Sequence, residues 1–539
     1  MHYLISFIIG AFAVYFILWV VFAFLVRVLS FVLFYWGATF ILGGLLGLVT
    51  GVILPARVLL GKGRAPLRQI TPDDLVAGKV IARKPAGPNR EHGWDHAWPN
   101  YFPYQAIPDA QAVGAEISLH VRVFWAKILS EPSAAQVVWF IAGLPLLLGY
   151  AMGIWVSAFG WFFVMGALGL GVVVVQQVVL GVLRMMDVIT RRRRRATLKC
   201  PHCFGESALP GYRCTGPDCT VVHWSMLPGA LGFFTRLCSC GATLPNTVSS
   251  AAKALVPVCP YCRLDLVEGS GVRQTIQLAL IGSIGAGKTR LLDAATVALE
   301  QSLREIGGEF TPLDPRAATF LKQSHARIDQ QAETSKTQHL RPIGLPFLVQ
   351  HGGEGVELQL FDTAGEAFSS WDETAKLRYL DSADAMLFVL DPLALPRVGE
   401  QFIRSNFATS VLCASGDQEN VYGAAIDRMR AESVPVGRKK LAVVLTKGDI
   451  LSKLAVASKL GGYDSDSIRS WLIDNSADLL VRRFEKDFGA VRYFVVDSMN
   501  HLKAGDPLNP WWTLEWLLRE SGAPLKLAEA HASLAPVPS

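Results

Sequence analysis

The sequence predicts an open α/β domain built around one phosphate-binding loop, preceded by a cysteine-rich metal module and four membrane-spanning helices. Three observations carry that expectation. Residues 274–291 read QTIQLALIGSIGAGKTRL, an apolar β-branched run that breaks at Gly282 and re-enters a helical pattern after Lys288. Eight of the chain's 9 cysteines fall between residues 200 and 262 in four close pairs. Four runs, 3–26, 28–54, 136–157 and 159–183, are nearly free of charge, and each reaches the ~20 residues a bilayer crossing needs.

Composition agrees with a membrane part joined to a globular part. Of 539 residues, 51% are hydrophobic and only 18% charged, and one core rarely extends past about 250–300 residues. The expected divisions are a transmembrane hairpin over 1–55, a loop or small domain over 56–134, a second hairpin over 135–184, and a basic linker over 185–199. A zinc-ribbon module over 200–268, the nucleotide domain over 269–525 and an unstructured tail over 526–539 complete the chain.

The hairpins come first. Arg27 separates the first two runs, and Phe159 and Gly160 mark a tight connection between the last two. A secretory signal would have a shorter apolar core, about 7–15 residues. Basic residues flank the runs at Arg57, Lys62, Arg64 and Arg68 and again at Arg184 and Arg191 to Arg195. By the positive-inside rule four spans would place the N-terminus, the 56–134 loop and the C-terminal domains in the cytoplasm, at the cell inner membrane. The arginine run would meet anionic lipid, at about 1 kcal/mol per residue. Almost no ionisable residue lies within the runs, which argues for anchoring and against a transport path. Between the hairpins, Trp94 to Ala110 is rich in Pro and aromatics, suited to an interface or to a small core, and residues 117–130 suit an amphipathic helix.

The cysteines follow as Cys200 and Cys203, Cys214 and Cys219, Cys238 and Cys240, and Cys259 and Cys262. Paired thiolates at such spacing are what tetrahedral Zn²⁺ takes from two knuckles, and a reducing cytoplasm disfavours the disulfide alternative. Two successive four-cysteine sites are the simplest pairing, and an interleaved one is also open. His202 and His223 are substitute ligands of the same chemistry. Four protein ligands leave no open position for catalysis, so the module is structural or binds a protein partner. It lacks the clustered Lys/Arg with aromatics of a nucleic-acid face, and a nucleic-acid partner is not expected.

From Val272 onward strands alternate with helices. Strands are expected at 276–281, 346–350, 356–361, 385–391, 441–446 and 491–496. Helices are expected at 288–302, 370–380, 397–431 with a break, 463–487 and 510–519. In the loop, Gly282, Gly285, Ala286, Gly287, Lys288 and Thr289 satisfy G-x-x-x-x-G-K-[ST]. Its N–H groups would face phosphate oxygens, Lys288 would reach the β/γ-phosphates and Thr289 would bind Mg²⁺. Asp362 ends an apolar strand and can hold the metal, while Gly365 can offer its N–H to a γ-phosphate. In Thr446-Lys447-Gly448-Asp449 the carboxylate can accept from guanine N1–H and N2–H₂, a pattern adenine lacks, and the Lys447 stem can lie over the base. Asp497-Ser498 ends the last strand, where Ser498 can close a loop over the base or simply form a turn.

These motifs, GSIGAGKT, DTAGE, TKGD and more loosely VDS, resemble those of Ras-like, translation-factor-related (TRAFAC) GTPases. The resemblance covers about residues 272–520. It implies a P-loop GTPase domain with a mixed six-stranded sheet, one strand antiparallel, and Mg²⁺-dependent binding and hydrolysis of GTP. It also implies a switch-I threonine, for which Thr337 and Thr334 are candidates, Thr337 preferred as a further magnesium ligand. Glu366 stands where many relatives place the glutamine that orients water; it would position water or repel the γ-phosphate, so that a GTP-binding scaffold with little hydrolysis is the alternative to an active switch. LDSADAMLFVLDPLAL, the insertion from Pro392 to Arg438 and the closing LNPWWTLEWLL resemble the bacterial double-GTPase-like group of conflict systems, which implies a defence or signalling role. Trp511, Trp512 and Trp516 suit core anchors of the last helix.

Overall fold

The computed structural model describes residues 1–64, 67, 70, 102–128, 133–224, 226–229, 232–330, 344–362, 377–406 and 411–534. These fall into two units, one of residues 1–86, 90–183 and 228–236, the other of residues 87–89, 184–227 and 237–539.

The first unit corrects the hairpins. Helix α1 runs unbroken over His2–Arg57, through Arg27, and ends in a π-turn where Gly61 takes a φ of 75°. Helix α2 is Phe102–Ile128, and helix α3 is Ser133–Arg193, unbroken through Phe159 and Gly160. Among the described residues two helices, not four, are therefore long and apolar enough to cross a membrane. Each far exceeds the 30 Å hydrocarbon layer, since 56 residues rise roughly 84 Å. A charge or a glycine interrupts hydropathy without breaking a helix; no Pro or αL residue sits at either expected turn. Glycines let the two helices touch. A Cβ at Gly47 would strike the Tyr150 carbonyl and one at Gly153 the Gly44 carbonyl, the close backbone approach that small residues spaced by four permit. Val113 and Ile117 of α2 are buried against Leu54, Ile154 and Ala158, so the expected amphipathic stretch from 117 belongs to a longer helix that packs on α1 and α3. Of the aromatic-rich stretch, residues 94–101 lie outside the described residues, as does Arg68.

The second unit holds the metal module and the α/β domain. Strands β1 Gln274–Gly282, β2 Glu309–Pro312, β3 Leu345–His351, β4 Glu354–Phe361, β5 Ala385–Leu390, β6 Lys440–Leu445 and β7 Ala490–Val495 form one sheet. Its order is β7-β6-β5-β1-β4-β3-β2, so the sheet has seven strands where six are expected. The seventh, β2, is four residues long and ends in Pro, too short and too irregular to register as a strand, and a proline is tolerated at an edge. Only β3 runs against the rest, pairing antiparallel with both β4 and β2.

Parallel strands buried on both faces read as unbroken apolar runs, and β5 and β6 do so. One face packs Ile276, Leu278 and Leu280 against α4 (Lys288–Glu305), α5 (Pro315–Asp329) and α10 (Trp511–Glu520), where Trp511 is fully buried. The other face packs Phe388 and Leu390 against α7 (Gln418–Ala431), α8 (Ser465–Asp474) and α9 (Asp478–Asp487), with α6 (Pro396–Ile403) alongside. Within the expected tail, Leu527–Leu534 forms helix α11, with Leu527 buried and His531 against the Trp511 ring at 4.7 Å.

On that second face the N-terminal halves of β1 and β4 carry Thr275, Gln277, Glu357 and Gln359, all buried. The strand leading into the metal module lies over them: Thr275 N–H donates to Thr197 Oγ1 at 3.1 Å, and Gln359 Nε2 donates to the Lys199 carbonyl at 3.1 Å. Lys199 Nζ in turn meets Asp384 at 2.6 Å. Ser270 donates to Glu357 at 3.3 Å, and Gln277 Nε2 to Gln359 Oε1 at 2.8 Å. Burial holds the Glu357 carboxyl above the usual carboxylate range, opposed by the Gln359 bond and by Arg273. The end of α3 joins the same unit: Asp187 accepts from Ser249 Oγ at 2.8 Å, Arg191 Nε donates to the Gly271 carbonyl at 3.2 Å, and Arg195 to the Gly522 carbonyl at 2.7 Å. Arg191 and Arg195, expected to face lipid, thus hold protein carbonyls.

Candidate functional site

Strand β1 stops at Gly282 because the chain must turn sharply there: a Cβ at that position would lie 2.6 Å from the Val389 carbonyl. Gly285 and Gly287 take φ of 76° and 91°, and α4 starts at Lys288. The loop N–H groups therefore gather at a helix N-terminus, where backbone dipoles favour an anion. Lys288 Nζ folds onto the loop's own Gly282 and Ser283 carbonyls at 2.8 and 2.9 Å. Burial lowers its pKa to about 8, partly opposed by the Asp362 carboxylate. Ser283 Oγ is buried and makes no hydrogen bond among the described residues, a cost of about 1–3 kcal/mol that a phosphate oxygen would relieve.

The two described magnesium candidates meet. Thr289 Oγ1 donates to Asp362 Oδ2 at 3.0 Å, so an alcohol and a carboxylate converge at the loop, the hard oxygen set Mg²⁺ prefers. Thr337, its alternative Thr334, Gly365 and Glu366 lie outside the described residues.

Thr446 links the two loops. Its side chain is buried and donates to the Ala286 carbonyl at 2.8 Å, so it braces the base loop against the phosphate loop. Lys447, left-handed at φ 58°, reaches Asp391 Oδ2 at 2.6 Å and the Leu412 carbonyl. Asp391 is itself buried and accepts from the Leu393 and Ala414 N–H groups at 3.0 and 2.7 Å. Asp449 is part-buried with its carboxyl raised, first by burial and then by Asp497. Asp497 caps Met499 and Asn500 at 2.8 and 3.1 Å. Ser498 Oγ is buried with no hydrogen bond among the described residues, while its carbonyl accepts from Arg290 Nε at 3.0 Å.

Three contributors escape the sequence motifs. Arg290, one residue past the loop threonine, ties α4 both to the Ser498 carbonyl and to the Arg327 carbonyl at 3.1 Å. Asp391 anchors Lys447. The Ser415 N–H donates to the Ile284 carbonyl at 2.9 Å, which lays part of the 392–438 insertion along the phosphate loop. Only Asp391, a strand-terminal acid, offers a sequence signal, and that signal is common in turns.

The cysteines form two clusters of four, in each of which all Sγ atoms lie within 4.8 Å. Cys200, Cys203, Cys259 and Cys262 make one, and Cys214, Cys219, Cys238 and Cys240 the other. The pairing is therefore nested, not successive: the outer knuckles close around the inner pair. Contacts of 3.5 Å for Cys214–Cys240 and 3.7 Å for Cys200–Cys262 and Cys203–Cys259 approach the ~3.8 Å edge of a tetrahedron with 2.3 Å Zn–S bonds. They far exceed a disulfide's ~2.05 Å. Phe204, Gly241 and Arg263 follow their knuckles in the left-handed region, at φ of 62°, 86° and 61°. The His202 and Gly216 N–H groups point at Cys200 and Cys214 Sγ at 3.4 and 3.3 Å. The His202 ring is no ligand in this set, and buried His223 lies beside Cys238. The donor set fits Zn²⁺ in both clusters.

Two outcomes follow. By mass spectrometry or colorimetry, Cys200→Ser and Cys259→Ser should each take zinc content from two ions per chain to one, and the double substitution should lose no more. Successive pairing would instead empty both sites. Nucleotide affinity should fall as pH rises through about 8, because phosphate binding requires charged Lys288. The free fold should move the opposite way: a lysine with a folded pKa below its unfolded ~10.4 gains stability as pH rises through that interval. At acid pH affinity should fall again as Asp449 protonates. In equilibrium titrations Lys288→Met should lose the alkaline limb and keep the acid one.

Residues 276–504 match the Double-GTPase 2 family, a stretch that holds the phosphate loop, Asp362, Asp449 and Ser498. No curated protein matches the chain. The stretch 276–504 of this chain resembles the double-GTPases, as the segment at 380–395 and the insertion at 392–438 suggest, and the segment at 508–518 lies beyond the match.

Proposed function

We propose that the chain is a membrane-anchored GTPase acting as a GTP-dependent switch, in defence or signalling. The observation that carries the reading is the meeting of Thr289 with Asp362 at 3.0 Å beside a loop braced to the base-reading segment through Thr446. Loop N–H groups and Lys288 hold the β/γ-phosphates, and Thr289 and Asp362 hold magnesium. Magnesium, when bound, neutralises charge on the transferring phosphoryl group. Asp449 selects guanine, Lys447 is stiffened by Asp391 to lie along the base, and the Ser498 loop closes over it. Glu366 would position the attacking water, and Thr337 would be a further ligand for magnesium. Helices α1 and α3 anchor the chain at the membrane, and a protein partner reads the switch.

A second reading, a scaffold that binds GTP with little turnover, is motivated by the carboxylate of Glu366 in place of a neutral amide. Steady-state phosphate release with Mg²⁺ separates the two, robust turnover excluding the scaffold. For the leading reading, the full chain should bind GTP over ATP. Lys288→Ala should weaken binding of both, by about 10²-fold if a charge-assisted contact worth ~2.7 kcal/mol is lost. Asp449→Ala should relax base choice. Equal affinity of the wild type for GTP and ATP, or guanine preference surviving in Asp449→Ala, would contradict it.

A further inference from the structure

The first metal cluster does more than fold its own module. Its Cys200–Cys203 knuckle ends in Phe204, a bulky residue in the left-handed region at φ 62°. Two hydrogen bonds fix it there, Phe204 N–H to the Cys200 carbonyl at 3.0 Å and Cys200 N–H to the Gly205 carbonyl at 3.1 Å. The partner knuckle closes over the same turn. Tyr261, between Cys259 and Cys262, lies so near Gly205 that a Cβ there would meet its ring at 2.6 Å, and its hydroxyl donates to the Glu206 carbonyl at 2.9 Å. With both knuckles on one ion, the Phe204 ring has little freedom.

That ring projects onto the nucleotide domain. It meets Phe361 edge-on at 5.6 Å and Tyr379 at 6.3 Å, and Phe361 stacks on Tyr379 at 5.4 Å. Phe361 is the residue before Asp362, and Asp362 holds Thr289. The Tyr379 hydroxyl reaches the Leu280 carbonyl at 3.5 Å, in the strand that delivers the phosphate loop. Both strands that end at the phosphate site thus lean on one aromatic triad with its third member clamped by four cysteines. Aromatic pairs have preferred geometry, so a displaced ring moves its neighbours.

We infer that Phe204, held by the Cys200–Cys203–Cys259–Cys262 centre, is a positioning residue for Asp362, so that metal occupancy of this centre sets how tightly the nucleotide site holds magnesium. The inference rests on the GTPase reading above. Coupling of this kind is reciprocal: magnesium with nucleotide must retain zinc in the first centre by the same factor.

The test uses the full chain in detergent, as wild type, Phe204→Ala, Phe204→Leu and Phe204→Tyr, with fluorescent GDP and MgCl₂ as probes. In Phe204→Ala the Mg²⁺ concentration that half-maximally slows GDP release should rise about threefold to tenfold, the scale of one or two lost aromatic contacts. GDP affinity with Mg²⁺ omitted and no chelator added, so that both zincs stay in place, should stay within about twofold, since Lys288 remains on the Gly282 and Ser283 carbonyls. Phe204→Tyr should restore the wild-type Mg²⁺ requirement and Phe204→Leu should not. In the wild type, chelator extraction of the first zinc should slow when Mg²⁺ and GDP are present. An unchanged Mg²⁺ requirement in Phe204→Ala with both zincs retained would overturn the proposal, as would an equal loss of Mg²⁺-free affinity, which marks general damage. If Phe204→Ala does not fold, an Mg²⁺-independent rate of zinc extraction from the wild type would overturn it alone. A wild-type chain that binds no guanine nucleotide would overturn the functional reading itself, and this inference with it.

Discussion

Thr275, Gln277, Glu357 and Gln359 lie side by side on the buried face of the two central strands, where an unpartnered polar group costs about 1–3 kcal/mol. A sheet can cover such a face with an apolar helix, but this one carries amides and a carboxyl there and meets them with Thr197, the Lys199 carbonyl and Ser270. The segments that flank the metal module thus supply partners for Thr275, Glu357 and Gln359, while Gln277 pairs with Gln359 within the sheet. Zinc in the two cysteine clusters would help to hold that strand in place, because the module's own apolar content is small, a handful of residues around Leu198 and Tyr212.

The same two strands end at the phosphate loop and at Asp362. Their polar halves are sealed by the strand entering the module and their apolar halves by Phe204 and Tyr379. The first cysteine cluster, the sheet and the phosphate loop are therefore contiguous. The end of α3 is joined to it through Asp187, Arg191 and Arg195, so the last turns of an apolar helix are hydrogen-bonded into the domain that would bind GTP. Arginines of this kind serve protein carbonyls as well as headgroups, since a planar guanidinium offers five donors.

Much of this was legible in the residues. The strand-loop-helix around Lys288, the strand-terminal Asp362 and the TKGD turn are local patterns, and local patterns survive into the fold with their spacing intact. The role of Thr446 was not legible because side-chain direction is not in the motif: its hydroxyl donates to the Ala286 carbonyl, a partner 160 residues away. The nested cysteine pairing was open because four similar pairs do not encode which two meet; the intervening chain decides, and it brings Cys259 beside Cys203. Arg27 and Gly160 suggested turns because they interrupt hydropathy, yet neither forbids helical backbone, and α1 and α3 pass through them. Arg290 is invisible to pattern reading, since its partners are carbonyls 37 and 208 residues away.

The central claim is that the metal module completes the nucleotide-binding sheet. Hydrogen-exchange mass spectrometry of the full chain, before and after zinc extraction, tests it directly. The account predicts faster exchange in Gln274–Gly282 and Glu354–Phe361, with Lys440–Leu445, which pairs with neither of these strands, protected as before. Unchanged protection of the two central strands in the zinc-free chain would contradict it.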